Sequence, residues 1–290
     1  MSSLSNGELS AAQENLLSQT LKQAVRLLKD AAVSVPQLTA EVLLCNVLGV
    51  DKSFLYAHPE HLLARDQREQ FQAGLGRRCH GEPTQYITGI QEFHGLDFKV
   101  TPDVLIPRPE TEHLVEEALA RAQDAKIILD IGTGSGCVAV SIKETLPSLR
   151  VVAAELSRAA LRVAAENSCR LRSPLEFVQA DLVEAFADDS FDMVVSNPPY
   201  VPLADLPGLQ RELRSEPSLA LFGGEDGLRI YEKLAATATR ILKPGGWLLL
   251  ELGYRARPAV EALFGGPKWS EPAVKADLAG IDRVLAVRRI

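Results

Sequence analysis

Residues 127 to 136 have the sequence Ile-Ile-Leu-Asp-Ile-Gly-Thr-Gly-Ser-Gly. The apolar residues predict a buried strand, and the three glycines predict a tight turn that leads into a helix. Glycine tolerates positive φ and lets the backbone approach a ligand closely. The first N–H groups of the helix are then free to bind that ligand. We therefore expect the strand, turn and helix start of a cofactor-binding α/β fold.

An alternation of strands and helices starts at Lys126 and continues almost to the last residue. Strands are predicted at 126–131, 150–155, 175–180, 191–195 and 246–251, and helices at about 136–146, 158–170, 226–242 and 255–264. This alternation predicts a mostly parallel sheet with helices on both faces. A last strand, 284–287, has no helix after it, and we expect it to pair antiparallel at an edge.

The first part of the chain has a different pattern, in which apolar residues repeat at helical spacing. Helices are predicted for residues 16–28, from Pro36 to a stop at Gly49, and for about 66–75, ended by Gly74 and Gly76. No combination of catalytic side chains appears there. The region is either a cap that adds stability or a domain that docks a partner, and its residues leave both possibilities open.

Two connecting segments follow the helical region. Residues 85–100 alternate in polarity and are interrupted by Gly89 and Gly95, which predicts a β-hairpin. Residues 105–112, Leu-Ile-Pro-Arg-Pro-Glu-Thr-Glu, precede a helix with periodic apolar residues. The prolines on both sides of Arg108 predict a stiff arm that places Arg108 near a functional site. A buried linker is the alternative.

Composition limits the classes of partner. A hydrophobic content of 46% and a charged content of 24% are typical of a globular protein in water. The formal net charge is -7, with a sequence pI of about 5.4. Proteins that hold nucleic acid through its phosphates usually carry a basic surface. We therefore expect no stable binding of nucleic acid.

Cysteine spacing and apolar runs limit the compartment. None of the cysteines has C-x-x-C spacing, which predicts free thiols in a reducing cytosol and no metal site. Residues 1–18 are polar and predict no signal peptide. No apolar run approaches the roughly 20 residues of a membrane span. We expect a cytoplasmic protein, a monomer without a membrane partner.

Acidic residues end the second and third predicted strands. Glu155 follows Gly134 by 21 residues and is placed to accept both hydroxyls of a ribose. Asp181 could accept from the amino group of adenine, with Leu182 packed on the ring. No cation near the glycine turn suits a phosphate, and the G-x-G-x-G spacing disfavours the runner-up cofactor, NAD. The cofactor that needs ribose and adenine contacts without a phosphate grip is S-adenosylmethionine. Its predicted binding residues are Gly132, Thr133, Gly134, Ser135, Gly136, Glu155, Asp181, Leu182 and Asn197.

A rigid polar motif, Asn197-Pro198-Pro199-Tyr200, follows the strand at 191–195. Proline fixes its own φ and restricts the residue before it. The Asn197 amide, the Pro198 carbonyl and the Tyr200 ring therefore predict a receptor for a planar NH2 group. We assign Asn197, Pro198, Pro199 and Tyr200 as the candidate catalytic residues. The alternative is a rigid turn with Tyr200 in the core.

The glycine loop, the strand-end acids and this motif together resemble a class I S-adenosylmethionine methyltransferase. Asn197-Pro198-Pro199-Tyr200 further resembles the motif of enzymes that methylate planar NH2 groups. Other segments resemble the HemK/PrmC family of peptide chain release factor glutamine N5-methyltransferases; these are residues 86–93, 105–112, 216–227 and 277–283. Two positions depart from that family, which more often has Asp at the position of Glu155 and an aromatic residue at that of Ser215.

The resemblance implies a fold, a substrate and a domain plan. The fold is Rossmann-like, with a mostly parallel seven-stranded sheet, an antiparallel edge and a small N-terminal helical domain. The substrate is the glutamine of the Gly-Gly-Gln loop of release factors, methylated on its side-chain nitrogen. Residues 1–84 would dock the substrate, residues 85–108 would form a hairpin linker, and residues 109–290 the methyltransferase domain.

Two other functions remain open at this point. An adenine-N6 DNA or RNA methyltransferase would use the same motif, because adenine N6 is also a planar NH2 group. A catalytically silent binding module could retain the fold alone. The acidic balance disfavours the first, and the intact glycine loop with Glu155 and Asn197 disfavours the second.

Overall fold

The computed structural model describes residues 16–208 and 210–290, which divide into two compact units. The smaller unit contains the chain up to Gly89 together with Arg211–Ser215. The larger unit contains Ile90–Gln210 and Glu216–Ile290. The expectation that no signal peptide is present concerns residues 1–18 and lies almost wholly outside the described residues.

Helices form the smaller unit in the described ranges. They are α1 (Leu17–Asp30), α2 (Pro36–Leu48), α3 (Lys52–Ala57), α4 (Arg65–Cys79) and α5 (Thr84–Thr88). The first two predicted helices are confirmed, and Gly49 ends α2 with a φ of 67°. Helix α3 was not predicted; the Asp51 side chain caps it by accepting from the Phe54 N–H at 3.0 Å.

The predicted end of the third helix is wrong. Helix α4 continues through Gly74 and Gly76 to Cys79. A Cβ on Gly74 would lie 3.2 Å from the Ile87 side chain, so this glycine permits close packing of α5 against α4. The glycine serves contact between helices, which sequence alone does not distinguish from a helix stop.

An internal ion pair holds Arg211–Ser215 in the smaller unit. The Arg78 guanidinium on α4 binds the Glu212 carboxylate at 2.5 Å, and the Arg78 side chain is only 6% exposed. The Arg211 side chain lies against Gly81, where a Cβ would come within 2.6 Å of it. A segment distant in sequence therefore completes the helical unit.

A β-hairpin opens the larger unit, as predicted, although it is shorter. Strand β1 (Ile90–Phe93) pairs antiparallel with β2 (Leu96–Lys99). Residues 85–88, predicted to belong to the hairpin, are helical instead. The cause is Gly89, which ends α5 with a φ of 78° and so acts as a helix stop.

Seven strands form one sheet within residues 90–208 and 210–290. They are β3 (Ile127–Ile131), β4 (Arg150–Glu155), β5 (Glu176–Gln179), β6 (Phe191–Ser196), β7 (Leu242–Glu251), β8 (Ala273–Ala276) and β9 (Asp282–Arg288). Their order is β5-β4-β3-β6-β7-β9-β8, parallel as far as β7. β9 runs antiparallel to both of its neighbours. This sheet confirms the predicted fold class.

The predicted edge position of the last strand is wrong. β9 lies between β7 and β8, and β8 forms the antiparallel edge. β9 is buried over residues 284–287, whereas β8 has only Val274 partly covered. A short edge strand without a buried face carries no alternation of polarity, and so its sequence gave no signal.

Helices cover both faces of the sheet. They are α6 (Glu112–Arg121), α7 (Cys137–Thr145), α8 (Arg158–Arg170), α9 (Ser218–Leu221), α10 (Arg229–Ile241) and α11 (Arg257–Ala262). Short 3₁₀ segments are Pro109–Thr111, Leu203–Gly208 and Arg211–Ser215. Alternate strand residues pack into two apolar layers, as Ile128 does with α6 and α7 and Leu129 with α10. None of the helices in the described ranges is long and apolar enough to cross a membrane.

Candidate functional site

One cavity opens where the parallel strands β3, β4, β5 and β6 end. Loops that follow these strands line it at residues 130–135, 155–157, 180–182 and 196–199. The arm before α6 adds residues 103–108 in part and Thr111, and the start of α9 adds Leu219 and Ala220. Ligands of open α/β sheets bind at this end of the strands.

The glycine loop after β3 is tied to the end of β4. Gly132, Gly134 and Gly136 have φ values of 73°, 56° and 82°. The Gly132 N–H donates to the Ala154 carbonyl at 2.9 Å. A Cβ on Gly132 would meet nothing within 4 Å, so the space beside it is open to a ligand.

Gly136 contributes to helix packing and not to the cavity wall, unlike Gly132 and Gly134. It does not belong to the cavity lining, although it was predicted to bind the cofactor. A Cβ there would lie 3.2 Å from the Ala164 Cβ on α8. Gly136 therefore lets α7 begin close to α8, which sets the direction of the loop in front of it.

Glu155 is held by main-chain donors. Its Oε2 accepts from the Gly134 N–H at 3.0 Å, and its Oε1 accepts from the Ser157 N–H at 2.9 Å. Each carboxylate oxygen can accept a second hydrogen bond. The half-buried side chain thus has a fixed orientation and retains capacity for two further donors, such as the hydroxyls of a diol.

Asp181 and Leu182 line the cavity beyond β5. Leu182 has a φ of 50°. This left-handed conformation costs about 1–2 kcal/mol for a residue with a side chain. Such conformations concentrate at ligand sites, where the surrounding structure maintains them.

Asp130 was not assigned a role from the sequence. It is 2% exposed and accepts from the Thr133 hydroxyl at 2.6 Å. Burial raises the pKa of its carboxyl to about 7, against the opposing effect of the Thr133 hydrogen bond. Through its hydrogen bond with Thr133, Asp130 holds the start of the glycine loop in place. An acid near the end of a buried strand, two residues before a glycine turn, was the available signal.

The Asn197 side chain has a defined partner. Its Nδ2 donates to the Thr111 Oγ1 at 3.1 Å. Just before it, the Ser196 hydroxyl donates to the Ile131 carbonyl at 2.8 Å and ties β6 to β3. With its nitrogen engaged by Thr111, the amide keeps its carbonyl oxygen as the acceptor.

The main chain of the Asn197 motif is covered by glycines from distant segments. A Cβ on Gly223 would lie 2.5 Å from the Pro199 carbonyl oxygen, and one on Gly227 would lie 2.4 Å from the Tyr200 carbonyl oxygen. On the other side, a Cβ on Gly253 would lie 2.9 Å from the Tyr200 ring. Side chains have no room at these three positions.

Pro198 and Pro199 line the cavity, whereas Tyr200 is not among its lining residues. The Tyr200 ring packs against the apolar layer around α10, and burial raises the pKa of its hydroxyl. This packing corresponds to the alternative interpretation, in which Tyr200 supports a rigid turn. Its stacking on a substrate stays a prediction.

Arg108 lies on the cavity wall, where the proline-flanked arm places it. Its guanidinium pairs with the Glu216 carboxylate, whose side chain is 1% exposed. Glu216 also accepts from the Ile106 N–H at 3.0 Å. Glu216 therefore fixes the arm, a role that sequence reasoning missed because the partners are more than a hundred residues apart.

Thr111 and Glu251 were also missed, and both are 2% exposed. Glu251 ends β7, beside the Asn197 end of β6. Burial raises the pKa of Glu251 to about 7, while a hydrogen bond from Thr111 acts in the opposite direction. An acid at the end of the apolar run 247–250 was the only sequence signal.

Within the described residues, no group of three or more histidine, cysteine, aspartate or glutamate side chains could hold a metal ion. The polar groups of the site are the carboxylates, the amide and the main-chain groups described above.

Comparisons with known proteins find matches to both parts of the chain. Residues 19–89 match the model of the PrmC N-terminal domain, and residues 110–206 match that of the methyltransferase small domain. A release factor glutamine methyltransferase from Koribacter versatilis is 43% identical over 94% of this chain and 98% of its own length. One from Geobacter sulfurreducens is 43% identical over 90% and 92%. A solved methyltransferase from Pyrococcus furiosus shares the fold, with a TM-score of 0.51 and 19% identity over 67% of this chain and 89% of its own.

The glycines around the Asn197 motif can be tested by stability. Gly227→Ala places a Cβ 2.4 Å from the Tyr200 carbonyl oxygen at a φ of 81°. Left-handed strain and overpacking together should lower the free energy of unfolding by about 2–5 kcal/mol. Gly280→Ala, at a φ of 77° with nothing within 4 Å, should cost only the strain, about 1–2 kcal/mol. Urea unfolding measures both, and equal losses would refute the role of crowding.

Proposed function

This chain belongs to the release factor glutamine methyltransferase family, and on that premise we propose that the glycine loop and the Asn197 motif form its methyl-transfer site. The enzyme transfers a methyl group from S-adenosylmethionine to a glutamine of a release factor. By the resemblance, the acceptor is the side-chain nitrogen of the glutamine in the Gly-Gly-Gln loop. The observation that carries the proposal is that Asn197, Glu155 and the glycine loop line a single cavity.

The cavity suits S-adenosylmethionine. Glu155, already oriented by the Gly134 and Ser157 N–H groups, accepts the two ribose hydroxyls with its remaining capacity. Asp181 accepts from the adenine amino group, and Leu182 packs on the ring. The main chain of Gly132 to Ser135 lies along the rest of the cofactor. When bound, the cofactor supplies an electrophilic methyl group on a sulfonium.

Asn197 prepares the acceptor nitrogen. An amide nitrogen is a poor nucleophile because its lone pair is delocalised into the carbonyl. The Asn197 carbonyl oxygen accepts one N–H of the glutamine, and the Pro198 carbonyl accepts the other. Both hydrogen bonds strengthen as positive charge develops on nitrogen, so they stabilise the transition state more than the ground state.

Positioning supplies a further part of the rate. Holding the glutamine nitrogen near the methyl carbon can remove up to roughly 7–11 kcal/mol of the barrier. With the cofactor bound, the acceptor nitrogen would take the methyl group as the carbon–sulfur bond breaks, and the cofactor would leave as S-adenosylhomocysteine. The nitrogen then loses a proton to water, and no side chain is assigned as a base.

We extend the proposal to the arrangement of the chain. Residues 1–84 dock the release factor, residues 85–108 link, and residues 109–290 carry out the transfer. The enzyme acts as a monomer in the cytoplasm. The match of residues 19–89 to the PrmC N-terminal domain supports a dedicated helical domain.

Adenine in nucleic acid is the competing acceptor, since its N6 has the same planar geometry. The net charge of -7 disfavours a stable complex with a polyanion. Parallel assays with labelled cofactor on release factor and on DNA or RNA separate the two acceptors, and we expect label in the protein alone.

Removing the Asn197 side chain tests its role in transfer. Asn197→Ala should lower methyl transfer by about 100-fold or more, as removal of a transition-state hydrogen bond does elsewhere. Mass spectrometry of the release factor counts the added methyl groups, and calorimetry should show that cofactor binding is largely intact. A release factor with alanine in place of the loop glutamine is the control and should gain no methyl. Turnover equal to the wild-type rate would exclude this role for Asn197.

Cofactor binding has a separate test. Glu155→Ala should weaken cofactor affinity by about tenfold or more, since two charge-assisted hydrogen bonds are lost. Transfer at saturating cofactor should be affected much less. Glu184→Ala, which removes an exposed acid near the same edge but outside the cavity lining, is the matched control. Calorimetry with both variants decides, and equal affinities would contradict the assignment of Glu155.

A further inference from the structure

Thr111 lies between Asn197 and a buried acid. Its hydroxyl oxygen accepts from the Asn197 Nδ2 at 3.1 Å, and its hydroxyl acts to lower the pKa of the buried Glu251 carboxyl. Thr111 and Glu251 are each 2% exposed, so water does not compete for these contacts. The three side chains come from the arm before α6, the end of β6 and the end of β7.

The hydrogen-bond donors and acceptors of Glu251, Thr111 and Asn197 can be assigned in one consistent way. A carboxylate only accepts hydrogen bonds, whereas a hydroxyl donates one and can also accept. Thr111 accepts from an N–H of Asn197, and its own proton is free to be donated to Glu251 when that carboxyl is ionised. The Asn197 amide is then held by its nitrogen, and its carbonyl oxygen is left for a substrate N–H.

We propose that Thr111 and Glu251 are positioning residues that fix the orientation of the Asn197 amide, so that its carbonyl oxygen accepts from the substrate. This inference rests on the proposed role of Asn197. If the Asn197 amide rotated by 180°, its N–H groups would face the N–H groups of the substrate amide. Two donors cannot form a hydrogen bond with each other, so Asn197 could not bind the acceptor nitrogen. Thr111 and Glu251 thus determine whether Asn197 presents its carbonyl oxygen or its N–H groups to the substrate.

The Glu251 carboxyl has few other hydrogen-bond partners among the described residues. Its Oε1 is 3.5 Å from the Tyr200 hydroxyl, and its buried Oε2 has no hydrogen-bond partner among the described residues. Its main-chain carbonyl accepts from the Tyr231 hydroxyl at 2.7 Å, which anchors the end of β7.

Further charged and titratable groups act on Glu251 from a distance. Glu110, beside Thr111, raises the pKa of Glu251, whereas Arg283 on β9 lowers it. Arg283 and Glu110 themselves pair at 3.6 Å. The Cys137 thiol at the start of α7 also interacts with Glu251, and burial raises the pKa of that thiol.

Protonation of Glu251 would remove the fixed polarity. A neutral carboxyl can donate a hydrogen bond to Thr111, whose hydroxyl is then free to donate a hydrogen bond to the Asn197 carbonyl oxygen. Burial raises the pKa of Glu251 to about 7 from an ordinary 4.5. The ionised, productive form therefore predominates above about pH 7, and transfer should slow as the pH falls below it.

The hydroxyl is tested first, on the full-length enzyme with release factor and saturating cofactor. Thr111→Val keeps the shape of the side chain and should lower kcat by about 10–100-fold, because the Asn197 amide loses the hydrogen bond that orients it. Cofactor affinity should stay unchanged. Thr111→Ser restores the hydroxyl and should recover most of the rate. Thr239→Val, a buried threonine outside the cavity lining, is the matched control.

Coupling between the residues gives a second measurement. In an Asn197→Ala background, Thr111→Val should have no further effect on transfer, because the group it orients is gone. A kcat for Thr111→Val within about twofold of wild type, or full additivity in the double variant, overturns the role of Thr111.

The acid is tested by the pH profile of kcat, which a purely structural role would not alter. The wild-type rate should rise between about pH 6 and 8, and Glu251→Gln should flatten that rise. Asp130 has a pKa in the same range and remains in both proteins, so the difference between the two profiles isolates Glu251. Asp192→Asn, which changes a half-buried acid of the sheet outside the cavity lining, should leave the profile unchanged. Identical profiles for wild type and Glu251→Gln overturn the role of Glu251.

The outcomes separate this inference from the proposed function. If the wild-type enzyme adds no methyl to the release factor glutamine, the proposed function fails. If it does, and Thr111→Val and Glu251→Gln bind cofactor and behave as wild type, only the positioning role fails. Cofactor binding by calorimetry also shows whether each variant is folded.

Discussion

The site depends on crowding around the main chain of Pro199 and Tyr200. Gly223 and Gly227 approach the two carbonyl oxygens so closely that a single carbon added to either glycine would collide. This contact holds the segment after the Asn197 motif against the carboxyl end of β6. Near the same segment, Glu216 grips the arm that carries Arg108. Close packing at the two glycines and the Glu216–Arg108 ion pair thus act together on the cavity wall.

Buried or half-buried acids then organise the polar side of the cavity. Asp130, Glu155 and Glu251 each stand at the end of a neighbouring or nearly neighbouring parallel strand. Asp130 holds Thr133, Glu155 holds the Gly134 N–H, and Glu251 meets Thr111. Each acid orders a group that contacts the ligand space. Burial makes the first and last of them costly to ionise, which raises their pKa values to about 7.

Local sequence determined most of the fold and about half of the site. The strand at 150–155 and the helix at 158–170 were predicted at their observed bounds, because apolar runs and capping residues are local signals. Gly74 was misjudged and β8 was missed, since one serves a contact between helices and the other has no buried face. Thr111, Glu216 and Glu251 escaped notice for a related reason: each acts through a partner at least 86 residues away or across the sheet.

The short segment Arg211–Ser215 has a consequence for how this protein could have been assembled. It lies in sequence between β6 and α10, yet it belongs to the helical unit, where Glu212 pairs with the buried Arg78. The polypeptide therefore passes from one unit to the other three times. A gene that encoded only the chain from Ile90 onward would still include Arg211–Ser215, although the helical unit to which this segment belongs would be missing. Exchange of the helical unit between genes would therefore require two separate pieces of sequence to be exchanged together.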